Sequence, residues 1–131
     1  MDSSSIELAG SEIESISLVG GRLEIRFSRA IIIKTMTGSV EKTKWSQAGS
    51  LIIGGARVQG ALPRGALVCD GGDLEENVYT YRDMIPIPLE SRGAIRCELR
   101  FRGIDEHLVA EGETVELALQ DVPKYIEHIR S

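Results

Sequence analysis

Apolar and polar residues alternate along much of this chain with a period of two. From Ala94 to Arg102, Ile95, Cys97, Leu99 and Phe101 fall on one side of an extended backbone, and Arg96, Glu98, Arg100 and Arg102 on the other. That pattern predicts a strand with one face in a core and one in water. Earlier, Glu12 to Val19 and Arg22 to Ser28 both alternate and are separated by Gly20-Gly21, which predicts a hairpin. A two-residue turn there pairs Val19 with Arg22, Leu18 with Leu23 and Ile16 with Ile25. Turn chemistry and apolar register then agree, whereas a slip by one residue would turn half the set to solvent.

Weaker patterns fill the rest. Ala30 to Met36, with Ile31-Ile32-Ile33, reads as a strand buried on both faces or crossing between sheets, and a loop follows from Thr37 to Lys44. Trp45 opens a segment that sets Leu51 and Ile53 on one face before Gly54-Gly55, and Ala56 to Leu62 ends at Pro63. Ala66 to Cys69 predicts a short strand entering the polar turn Asp70-Gly71-Gly72-Asp73. Asn77 to Arg82 then places Tyr79 and Tyr81 on one face. Pro86 and Pro88 remove two amide donors from Met84 to Leu89, which assigns that segment to a sheet edge or a polyproline-like connection. Leu108 to Ala110 and Thr114 to Gln120, joined by Glu111-Gly112-Glu113, give a second hairpin signal.

At the C-terminus the period changes. Asp121 as a cap, Pro123 in a first turn, and Val122, Tyr125, Ile126 and Ile129 at spacings of three and four predict a short helix over 121–130. Residues 1–11 are expected to be a flexible lead-in. Together these elements predict a single all-β domain over 1–131, an antiparallel β-sandwich or small β-barrel of about eight or nine strands with a short C-terminal helix.

Composition narrows the function classes. A length of 131 residues suffices for one core without cross-links. Fifteen basic against twenty acidic residues give a net charge of -5, without the positive field that draws phosphate backbones, so no nucleic-acid partner is expected. The longest early apolar run, Ala30 to Ile33, is too short for a signal segment or a membrane span. A soluble, cytoplasmic chain with no membrane partner is expected. Cys69 and Cys97 sit in apolar runs and read as buried free thiols, with a disulfide as the alternative.

Candidate chemistry is sparse. Asp70, Asp73 and Glu75 belong to the densest group of oxygen ligands, where a weak calcium site is chemically possible, but the spacing lacks the EF-hand pattern and a solvated loop between strands is the favoured reading. Tyr79, Tyr81, Arg82 and Asp83, joined in space by Trp45, would present flat rings and polar groups to a sugar, a small ligand or a peptide. Arg96, Arg100 and Arg102, with Arg92, form a basic stripe that reads either as an anion site or as an ordinary charged sheet face. His107 and His128 have no nucleophile or orienting carboxylate at a recognisable spacing, and no zinc, GxSxG or nucleotide-binding motif occurs. No cofactor and no catalytic residue is assigned. The expectation is a non-catalytic binding or assembly module that forms a homo-oligomer or meets a protein partner, with a small-ligand binder or hydrolase near Tyr79 and Tyr81 as the alternative.

Overall fold

A computed structural model describes residues 3–36, 38 and 41–129. Among these the chain is all-β and antiparallel, with nine strands: β1 (Ser3–Val19), β2 (Arg22–Thr35), β3 (Lys42–Gly54), β4 (Arg57–Gln59), β5 (Leu67–Glu76), β6 (Tyr79–Arg82), β7 (Met84–Ile87), β8 (Glu90–Phe101) and β9 (Leu108–Ile129). No described helix is long and apolar enough to cross a membrane.

The first hairpin forms in the register expected from its turn. Gly20 and Gly21 both have positive φ, at 58° and 76°, and Val19 pairs with Arg22, Leu18 with Leu23 and Ile16 with Ile25. Two successive left-handed residues match the twist of the flanking strands. Leu23 and Ile25 are fully buried, while Leu18 near the tip stays exposed. Farther down β1 the register jumps between Glu7 and Glu12, and Ser11 fastens the irregularity. Its buried hydroxyl donates to the Glu7 carbonyl at 2.7 Å and accepts the Ile31 amide at 3.0 Å. A polar side chain with no exposed surface is tolerated there because both partners are supplied.

Hydrogen-bonded neighbours run in the order β6-β5-β8-β9-β3-β2-β1-β7. β1 also pairs with β5, through Glu12 with Val68 and Ile13 with Leu67, so the path returns on itself. β7 lies at one end of that path, as Pro86 within it and Pro88 just after it imply. Side chains from β1, β2, β3, β5, β7, β8 and β9 meet in a single, mainly aliphatic core that includes Ile6, Phe27, Leu51, Leu74, Leu99 and Val115. Ile95, Cys97, Leu99 and Phe101 are all buried and the alternate residues of β8 are not, in keeping with the period-two reading.

Four expectations are corrected. The segment 121–129 is strand, not helix, because it continues β9 and pairs with the first half of β3 from Ser46 with Lys124 to Lys42 with Ile129. Register shifts at Ser46/Ala48 and Lys44/Trp45, with Asp121 at φ 64°, break the alternation and leave apolar residues at spacings of three and four. A two-turn helix is marginal alone, whereas β3 offers a full row of backbone partners. Residues 3–11 are not a flexible lead-in but part of β1, paired with β2 and β7 and burying Ile6 and Leu8.

The remaining two corrections concern glycines. Asp70-Gly71-Gly72-Asp73 is no turn; it lies inside β5 at a bulge, and a Cβ on Gly72 would strike the Glu98 carbonyl oxygen of β8. Gly112 likewise turns nothing and sits in mid-strand of β9, where a Cβ would come within 2.8 Å of the Gly54 carbonyl. In both places glycine marks a close approach of two backbones, which its sequence signature shares with a turn.

Candidate functional site

The expected aromatic site is not assembled as one unit. Trp45 stands on β3, and its ring meets Tyr125 of β9 edge-on at 5.3 Å, lies under the Lys34 ammonium at 4.5 Å, and donates its indole N–H to Thr43 at 2.8 Å. Tyr79 and Tyr81 stack on each other at 6.4 Å on β6, which pairs with β5. Along the sheet path β8 and β9 lie between β5 and β3. Tyr79 is exposed, whereas Tyr81 packs partly against the core. Arg82 extends from the exposed side of β6. Asp83, at φ 59°, turns the chain from β6 into β7, and its carboxylate accepts the Gly72 amide at 3.1 Å and meets Arg100 at 3.2 Å.

Asp70, Asp73 and Glu75 are drawn out along a strand instead of gathered on a loop. Asp70 pairs with Arg102 at 3.7 Å and Glu75 with Arg96 at 3.3 Å, and Asp73 lies opposite Glu98. No group of three His, Cys, Asp or Glu side chains among the described residues is placed to hold a metal ion. The basic stripe along β8 and the turn after it is answered in the same way: Arg96, Arg100 and Arg102 each face a carboxylate, and Glu98 meets His107 at 3.1 Å. These groups are exposed enough for water to screen them, so the face is a compensated charge lattice worth little in stability.

The two thiols are free and buried. Burial pushes the Cys97 thiol up to about 12, and burial likewise raises Cys69. Both are held as thiols, the unreactive form. Elsewhere, the Ser50 hydroxyl, bonded at 2.7 Å, lowers the Glu24 carboxyl; burial opposes this and Arg22 and Arg26 add to it.

Two surface features stand out. The first is a groove of about 640 Å³ between the Gly20-Gly21 turn and the start of β8, lined by Ile52, Arg22, Arg92, Glu90 and Glu116 among others. Tyr79 and Tyr81 do not line it. The second is an edge. β8 pairs with β9 as far as Glu116, and Leu117 donates its amide to the Leu89 carbonyl at 2.9 Å. Beyond that point, residues 118–129 pair with β3 alone among the described strands. This stretch exposes Val122 and Tyr125, and Met36 is exposed at the end of neighbouring β2. Lys44 holds Glu127 at 3.6 Å, and His128 meets Glu41 at 3.0 Å.

The helical reading of 121–130 hid this edge. Pro123 was its one sequence marker, since proline within a strand belongs at an edge or a bulge. Comparison with known proteins gives no matching family, no matching curated protein and no matching solved structure.

Proposed function

We propose that this protein is a non-catalytic β module that works by assembly, using the one-sided end of β9 as its docking element. The observation that carries the reading is that residues 118–129 pair on one side only among the described strands while presenting Val122 and Tyr125 to solvent. An unpaired strand edge is a template for another strand, and edge addition draws affinity from main-chain hydrogen bonds and specificity from alternate side chains. The bulge at Asp121 and Pro123 blunt the first part of this edge and centre strand addition on Tyr125, within residues 124–127.

The same reading takes the hydrogen-bonded circuit β1-β2-β3-β9-β8-β5 as a small barrel from which the paired ends of β3 and β9 project. It keeps the soluble, cytoplasmic homo-oligomer expected from the sequence. Light scattering on the eluting protein at tens of micromolar tests it. A mass well above that of the 14.3 kDa chain is expected, falling to that of one chain in Tyr125→Lys with an unchanged circular dichroism spectrum. A wild-type protein that stays monomeric at those concentrations removes the proposal.

A further inference from the structure

Building on that reading, we infer that the strand received by the edge of β9 is the same strand of a second copy, joined antiparallel about a twofold axis at Tyr125. The argument rests on the charges that this edge sets on one face. Trp45 pairs with Tyr125 and the next residue, Lys44, pairs with Glu127, so Ile126 is an extra residue in β9. Ser46 pairs with Lys124. Because Lys44 and Ser46 are two apart on β3, their partners Glu127 and Lys124 lie on the same face of the sheet.

Continuous antiparallel pairing of two identical edges requires a twofold axis perpendicular to the sheet, and each residue then repeats its contact by symmetry. With Tyr125 opposite Tyr125, the position before it in one copy faces the positions after it in the other. Lys124 of each copy thereby meets the bulged pair Ile126-Glu127 of the second copy. Since Glu127 is the member on its face, a lysine and a glutamate are brought together twice.

Lys124 has no ion pair among the described residues, while Glu127 already meets Lys44 on its inner side at 3.6 Å. Docking extends that row to Lys44, Glu127 and Lys124 of the second copy, alternating in sign across three strands. Cross-strand pairs of opposite charge favour a register and like charges oppose it. A strand from an unrelated protein would have no reason to carry the reciprocal pair at this spacing around a tyrosine.

A mixing experiment tests the inference. Lys124→Glu and Glu127→Lys each place two like-charge pairs in the symmetric dimer, so each variant alone should elute at the mass of one chain. Mixed in equal amounts they restore both opposite-charge pairs, and the mass of two chains should return. Lys124→Glu breaks no ion pair among the described residues, so it reports on docking without a folding defect. If wild type associates but Lys124→Glu keeps its mass, or the mixture stays monomeric, this inference falls and the assembly reading stands. If wild type is itself monomeric, both fall.

Discussion

Replacing Gly72 with alanine separates a backbone contact from a turn preference. In β5, Gly72 lies opposite Leu99 of β8 at φ 159°. An added Cβ would strike the Glu98 carbonyl oxygen and come within 3.0 Å of Leu99 Cα and 2.9 Å of its Cδ2. The first two atoms are backbone of the paired strand, so relief requires β5 and β8 to part.

Two costs combine: overpacking of about 1–3 kcal/mol and a backbone conformation reserved for glycine at about 1–3 kcal/mol. Their sum, about 2–6 kcal/mol, is a large share of the roughly 5–15 kcal/mol that holds a domain together. For a chain of this size each kcal/mol moves the melting temperature by about 3–5 °C, so a fall of roughly 6–30 °C is expected. Gly103→Ala is the control, because φ is 79° there and nothing lies within 4 Å of the new Cβ. Only the backbone component of about 1–2 kcal/mol applies at that site. Thermal melts by circular dichroism, checked by urea titration, measure both variants. Equal losses would refute the close approach of β5 and β8.

Three further predictions follow from the core and its thiols. Leu99→Asp places an unpaired carboxylate in an apolar core and should unfold the domain, whereas Arg100→Ala loses only an exposed ion pair with Asp83 and should shift the melting temperature by no more than about 2 °C; similar losses in far-UV signal would refute the facing of β8. Because the folded thiols titrate higher than free ones, with Cys97 raised from 9.0 to about 12, their contribution is complete below pH 9 and is lost as pH rises from there toward 12. Melts across that range should fall more steeply for wild type than for the Cys69→Ala/Cys97→Ala double variant, and parallel curves would count against burial of the thiols. Cys69 lies opposite Phe101 and Cys97 opposite Leu74, so strand register does not set the two cysteines across from each other, and both thiols are free. Oxidised protein should therefore retain both thiols, released to a thiol reagent only on unfolding.

What the sequence showed depended on whether one physical cause dominated each segment. The first hairpin was legible to the residue because its glycine pair and its apolar register are independent signals that agree. β8 was legible because one face is core and the other wet along its second half. Gly71-Gly72 and Gly112 were misread because a glycine that admits a neighbouring backbone has the same signature as one that turns the chain. The end of β9 was misread because two register shifts scramble a strand's period into that of a helix, and only its pairing with β3 shows which it is.

The same ambiguity governed the candidate site. Trp45 was singled out as an aromatic surface residue, but its companion is Tyr125, eighty positions away in sequence and brought alongside by strand register. Tyr79 and Tyr81 do stack, through period two on one strand, at a different part of the sheet. The acids of β5 looked like a ligand cluster in sequence, and their pairing with the arginines of β8 depends on a bulge that sets the register between the two strands.

Amide hydrogen exchange read residue by residue, at a low and a high protein concentration, tests the central claim that the end of β9 is the docking edge. Amides of residues 124–127 whose N–H groups point away from β3 should be unprotected when dilute and become protected as concentration rises, while the core amides of β2 and β8 stay unchanged. Association that protects another surface, or an end of β9 that exchanges equally fast at both concentrations, would contradict it.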